Sequence, residues 1–148
     1  MSVLQQRMAS AGDRDALLAV FLAARPELAP LPPSLLALQF DAQQRQYRAF
    51  YPHAEDFLLL DGQQIAGRLY VARGERELHL LDIALLPPWR GQGHGARLIA
   101  ALQDEARAMK VPLRLSVADG NPAARLYERL GFRQIATAPP YRALEWTG

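Results

Sequence analysis

The 148-residue chain contains no cysteine, which excludes disulfides, thiolate metal ligands and thiol nucleophiles together. It also lacks any apolar run near the ~18 residues that a membrane span needs. Its N-terminus shows no basic stretch followed by an apolar segment, so a cytoplasmic protein with no membrane partner is expected. Lysine is almost missing. Lys110 stands alone among 17 basic residues, and these are spread along the chain to a formal net charge of +2, which argues against a nucleic-acid partner. Three scattered histidines have no ligand spacing, so no metal is expected. What is present is ordinary globular composition, half apolar and 22% charged, at a length that suits one domain over residues 1–148.

Proline punctuates the chain. Four prolines within 26–33 make that stretch irregular and separate two helical patterns. Residues 13–25 carry Leu17, Leu18, Phe21 and Leu22 at helical spacing, and 34–50 carry Leu36, Phe40 and Tyr47. A short strand is expected over 3–9. Segments 57–60, 65–72 and 77–86, separated by the turns Asp61-Gly62 and Arg73-Gly74, read as a meander of strands. Residues 80–86 are apolar except for Asp82, as in a central strand covered on both faces. Pro87-Pro88 ends that strand. An amphipathic helix over 93–109 follows, with Leu98, Ile99, Leu102, Ala106 and Met109 on one face. Pro112 ends it before the alternating strand Leu113, Leu115, Val117. Strand, helix and strand make a βαβ crossover with parallel neighbours. Asn121-Pro122 caps a short helix running to Leu130 and closed by Gly131. Segments 132–137 and 141–146, separated by Pro139-Pro140, read as a closing antiparallel pair.

Between the buried strand and the amphipathic helix lies Arg90-Gly91-Gln92-Gly93-His94-Gly95. Three glycines in five residues let an anion approach several backbone amides at the positive end of a helix. A Walker loop would need Lys and Ser or Thr after its last glycine, and neither is there. A dinucleotide fingerprint would place Ala96 at its third glycine and an acid at the end of the next strand, and no acid ends Leu115 to Val117. The remaining alternatives are another phosphate cradle or a turn that only lets the helix pack closely.

A second motif bears on that choice. Asn121, Ala124, Tyr127, Gly131 and Phe132, in Asn-Pro-Ala-Ala-Arg-Leu-Tyr-Glu-Arg-Leu-Gly-Phe, resemble the second signature of the GNAT superfamily of acyl-CoA-dependent N-acyltransferases. Arg90-x-x-Gly93-x-Gly95 resembles its first, and the likeness spans about 57–146. It implies an α/β fold: a mixed, mostly antiparallel sheet whose central parallel βαβ pair splays at the cofactor site, with helices on both faces. Acetyl-CoA is then the implied cosubstrate. The resemblance assigns its pantetheine arm to the backbone of Ile83 and Leu85, and its pyrophosphate to the loop Gly91, Gln92, Gly93, His94 and Gly95. Arg90 would contact phosphate or fix the loop, and Asn121, with Ala124 of the same motif, would hold the pantetheine.

The chemistry implied is direct transfer of acetyl to a primary amine in a ternary complex. A lysine-like amine of pKa about 10.4 is only about 0.1% neutral near pH 7.4, so presenting it costs roughly 4 kcal/mol. A base or water path is therefore required, and the departing thiolate gains from a donor. Tyr127 matches the superfamily's general-acid position. His79 is a candidate base, on the side of Leu81, Ile83 and Leu85 if no bulge intervenes, and equally a candidate structural histidine. Asp82, if buried, must be paired or hydrogen-bonded, and a structural role is expected. The His94 side chain is expected to face solvent or the phosphates, and His53 carries no argument. Gln39, Phe40, Gln43, Tyr47 and Tyr51 either line an acceptor pocket or pack in the core. The partner is then a small-molecule or peptide amine, and the closing strands are a candidate homodimer surface. A noncatalytic acyl-CoA-binding sensor is the alternative function.

Overall fold

Local chemistry places the elements of the chain, whose residues 3–148 are described by a computed structural model. Strands β1 (Gln5–Met8), β2 (Glu55–Asp61), β3 (Gln64–Arg73), β4 (Leu78–Leu85), β5 (Leu113–Ala118), β6 (Arg133–Ala138) and β7 (Tyr141–Trp146) are joined with helices α1 (Arg14–Ala23), α2 (Pro33–Phe50), α3 (His94–Met109) and α4 (Ala123–Arg129). The strands run in the order β1-β2-β3-β4-β5-β7-β6. β4 and β5 are parallel, with Leu78, His79 and Leu80 opposite Leu113, Arg114 and Leu115, as the crossover pattern predicts. The sheet is otherwise mostly antiparallel, and β4 holds the expected central position. The chain divides into two compact units, Met1–Tyr70 with Asp82–His94, and Val71–Leu81 with Gly95–Gly148.

In the first unit Leu17 and Phe21 of α1, Phe40 of α2 and Leu58 of β2 form a buried cluster. The two phenyl rings meet edge to face at 5.4 Å. Burying each such side chain contributes about 1.5–3 kcal/mol, which explains why the proline-rich stretch does not unravel the helices on either side of it. Phe40 therefore belongs to the core and not to an acceptor pocket. A polar core adjoins it. Arg68 of β3 is fully buried and donates from Nε and Nη2 to both oxygens of Asp56, at 2.8 and 2.9 Å. It also donates to the side-chain oxygens of Gln43 and Gln44 on α2. Its guanidinium lies 4.8 Å from the Tyr70 ring centroid, and Tyr47 packs edge-on to Tyr70. Gln43 and Tyr47 thus serve this cluster.

Ahead of α1, Asp13 accepts from the Ser10 amide at 2.8 Å and from both terminal nitrogens of Arg7 at 3.0 and 3.1 Å. The Arg7 contact first, and the Ser10 amide second, hold its carboxyl down at about 2. A depressed carboxyl contributes stability above its unfolded value of about 3.9 and loses it as pH falls through the folded one. Asp13→Asn should therefore lower Tm at pH 5, with the difference from wild type closing toward pH 2 in thermal melts.

The facing stretches of β3 and β4 between their two flanking hydrogen bonds differ in length by one residue. Gly74 donates to the Glu77 carbonyl at the hairpin, and Leu86 donates to the Ala66 carbonyl at the open end. The span from Ala66 to Gly74 is eight residues and that from Glu77 to Leu86 is nine, so β4 carries a bulge. Burial along β4 still alternates, with Leu78, Leu80 and Ala84 buried and His79, Leu81, Ile83 and Leu85 half-buried. Gly67 of β3 accommodates the altered backbone, because a Cβ there would lie 2.0 Å from the Ala84 carbonyl oxygen.

In the second unit β5 alternates as its sequence does, with Leu113, Leu115 and Val117 buried. On α3, Ile99, Leu102 and Ala106 are buried, and Gln103 Nε2 donates to the Leu130 carbonyl at 2.8 Å. Lys110, in the left-handed region at φ 58°, turns the chain out of α3 before Pro112 is reached. β6 and β7 pair antiparallel as expected, with a register shift between Gln134 and Ala136.

Candidate active site

The glycine loop is anchored before any ligand is considered. After a 3₁₀ turn at Pro87–Trp89, Trp89 Nε1 donates to Asp61 at 2.9 Å. Arg90 donates from Nε to the Leu85 carbonyl at 2.8 Å and from Nη2 to the Ala23 carbonyl at 3.0 Å. The second contact caps the last residue of α1, where a cation is favoured by unsatisfied carbonyls. These contacts fix the loop, one of the two roles considered for Arg90. Gln92 Nε2 closes the loop onto the Pro88 carbonyl at 2.6 Å.

The glycines have separable reasons to be there. Gly91 and Gly93 have φ of 71° and 84°, a region that side chains disfavour. Around Gly91 nothing lies within 4 Å of a built Cβ. Gly95 has no such angle, and a Cβ on it would meet Leu126 at an ordinary 3.7 Å. Close packing thus requires neither Gly91 nor Gly95, which removes the close-packing explanation for both. His94 departs from expectation: it is buried, 4% exposed. As the first residue of α3 its side chain turns inward, leaving its backbone amide, one of the donors without an intrahelical acceptor, as its contribution to the loop.

In the second unit the Asn121 side-chain oxygen accepts from the Ala123 amide at 2.9 Å. Pro122 has helical angles, so Asn121 acts as the N-cap with proline first in the helix. At the other end Gly131, at φ 94°, donates to the Glu128 carbonyl, and Phe132 donates to that of Tyr127. This is a Schellman closure with its usual apolar contact: the Tyr127 and Phe132 rings meet edge-on at 5.7 Å. Gly131 and Phe132 are therefore the devices that set the direction of the buried Tyr127.

His79 lies in a row of charges across three strands. Arg114 of β5 donates to Glu145 of β7 at 2.7 Å and to Glu77 at 2.9 Å, and His79 Nδ1 is 3.6 Å from Glu77. Burial lowers the imidazole pKa, Arg114 adds to the effect and Glu77 opposes it. The lowered pKa favours the neutral form of the ring. Glu77 and Arg114 were not evident from sequence as neighbours of His79, because strand register is a long-range property. In the first unit Asp82 is paired as anticipated, though loosely: its Oδ2 lies 3.6 Å from Arg68 and has no hydrogen-bond partner.

In this α/β protein a glycine loop thus stands between a parallel strand and its crossover helix, and a short helix carrying a buried tyrosine follows the next strand. The Acetyltransferase (GNAT) family matches residues 19–132. The chain belongs to that family. It is 35% identical over 83 residues to the uncharacterized N-acetyltransferase YycN of Bacillus subtilis (strain 168), a match covering 52% of this chain and 53% of that protein. The matched region thus spans about half the length of that relative. The fold resembles PaiA N-acetyltransferase from Thermoplasma acidophilum in complex with coenzyme A, with TM-score 0.75 and 16% identity over the whole of both chains. It also resembles a GNAT family acetyltransferase from Elizabethkingia anophelis with acetyl-CoA bound, with TM-score 0.65 and 16% identity, again over the whole of both chains. Among the described residues no helix is long and apolar enough to cross a membrane.

Proposed function

We propose that residues 1–148 act as a single N-acetyltransferase domain that moves acetyl from acetyl-CoA to a primary amine by direct attack in a ternary complex. The observation that carries this reading is the anchored loop 90–95, in which neither backbone angle nor packing accounts for Gly95. Bare amides at the start of a 16-residue helix suit a diphosphate. Acetyl-CoA, when bound, supplies the activated acetyl thioester. The loop amides hold its diphosphate, the backbone of Ile83 and Leu85 guides its pantetheine arm, and Asn121 and Ala124 flank that arm. His79, neutral and steadied by Glu77, takes the proton that the attacking amine must lose. The Tyr127 hydroxyl gives a proton to the leaving sulfur.

Gly95→Ala tests the reading. Alanine in a helix is favoured over glycine by roughly 0.5–1 kcal/mol, so Tm should hold or rise. Acetyl-CoA affinity measured by calorimetry should fall about tenfold or more. A variant that binds the ligand as tightly as wild type removes the argument from the loop. Release of free thiol with a panel of amines reports the enzyme; ligand binding with no release for any amine favours the noncatalytic sensor.

A further inference from the structure

Helix α2 has an outer face with no charge on it. Along its 18 residues, Leu35, Leu38, Gln39, Ala42, Gln46 and Phe50 recur at the steps that keep side chains on one side of a helix, and each is exposed. The three large apolar residues among them, Leu35, Leu38 and Phe50, are 43, 57 and 72% exposed. Ala49, exposed beside Phe50, completes the stripe. The opposite side is where the helix is held. Phe40 lies in the buried cluster with Leu17, Phe21 and Leu58, and Gln43 and Gln44 meet Arg68. A helix seated on a core ordinarily turns its charges outward. Here Asp41 and Arg45 stand only at the flank, Asp41 paired with Arg14 at 2.9 Å.

We infer that this face joins two copies of the chain, with their α2 helices antiparallel about a two-fold axis near Ala42. Leu35 of one copy then faces Phe50 of the other, and Gln39 faces Gln46. Ala42 lies at the crossing, where a small side chain lets the helices approach. Two side-chain amides can each donate and accept, so the polar members of the stripe satisfy one another. On the flank, Arg45 comes to the side of Asp41 of the other copy, so opposite charges meet and like ones do not. A two-fold contact requires this kind of self-complementarity. Covering the stripe on both copies buries on the order of 1,000 Å², the threshold for a specific interface. A membrane surface would suit a helix with a basic face opposite its apolar one, whereas that side of α2 is committed to the core. The edge strand β6 also exposes an apolar residue, Ile135, but the register shift between Gln134 and Ala136 blunts an edge against strand addition.

Sedimentation equilibrium of the full chain reads the assembly. Wild type should form dimers at concentrations up to about 100 μM. Leu38→Glu should weaken association about tenfold or more with Tm unchanged, because the side chain it replaces is exposed. Ile135→Glu should stay dimeric. Since the chain has no cysteine, a single introduced thiol reports which positions meet. On mild oxidation a mixture of Gln39→Cys and Gln46→Cys should cross-link one variant to the other in preference to either with itself. Wild type that stays monomeric overturns the inference, whether or not it sediments with anionic vesicles. So does a dimer that survives Leu38→Glu, and its loss in Ile135→Glu would move the contact to the closing strands. Cross-linking of each variant with itself as readily as with the other rejects the antiparallel pairing and the inference with it.

Discussion

Tyr127→Phe should lower turnover by about a hundredfold or more, within the range for removal of a general acid, while leaving acetyl-CoA affinity within about twofold of wild type. The structure makes this substitution informative because it separates the hydroxyl from the ring. The ring closes the Schellman motif against Phe132 at 5.7 Å, and phenylalanine keeps that contact and the burial that goes with it. α4 should therefore hold its position, and the lost activity would be chemical. Tyr127→Ala, by contrast, removes the apolar contact as well and should lower both stability and rate. Steady-state kinetics with calorimetry on the same preparations separates the outcomes. Full activity in a folded phenylalanine variant would exclude the hydroxyl as proton donor and leave the tyrosine a packing role.

Replacing Arg68 with methionine should destabilise the protein by roughly 3–5 kcal/mol, the cost of leaving buried charges without their counterion. That is a large fraction of the ~5–15 kcal/mol that holds a domain of this kind. Arg68 is fully buried, pairs with Asp56, and is the largest opposing influence on Asp82, whose carboxyl is pushed up by burial. Arg25 also pulls that carboxyl down, and Asp56 pushes it up. A carboxyl raised in the folded state contributes stability at low pH that is lost as pH rises through its folded value. Without Arg68 the rise should be larger. The deficit relative to wild type should therefore shrink on going from pH 8 to pH 5, as read from urea midpoints. Arg68→Lys should recover part of the loss, since it restores the charge without the bidentate fork toward Asp56. An unchanged midpoint for Arg68→Met at pH 8 would show that the cluster carries no net stability.

How much of this was legible in the chain follows from the range of each interaction. Helix α3, the crossover to β5, the cap at Asn121 and the stop at Gly131 rest on periodicity, proline and a positive-φ glycine within a few residues. Their chemistry is complete locally, and so the glycine loop and the tyrosine helix could be read directly from residue order. The β4 bulge could not, because it is a mismatch between two strands, and a period of two says nothing about register. His94 was misread for a related reason: loop composition indicates exposure, while its buried side chain depends on what packs over the start of α3.

The residue order by itself determined the elements, their sequence and the glycine-rich opening of α3, since these arise from backbone preferences and from the spacing of apolar residues. Only the tertiary structure decided that Arg90 anchors the loop through Leu85 and Ala23, that Glu77 and Arg114 surround His79, and that Arg125 and Arg142 line one cleft. Arg90 and Ala23, and likewise Glu77 and Arg114, lie far apart along the chain. What brings such side chains together is burial of the apolar faces between them, and a charge or hydrogen bond acquires its partner only after that packing has set the distance.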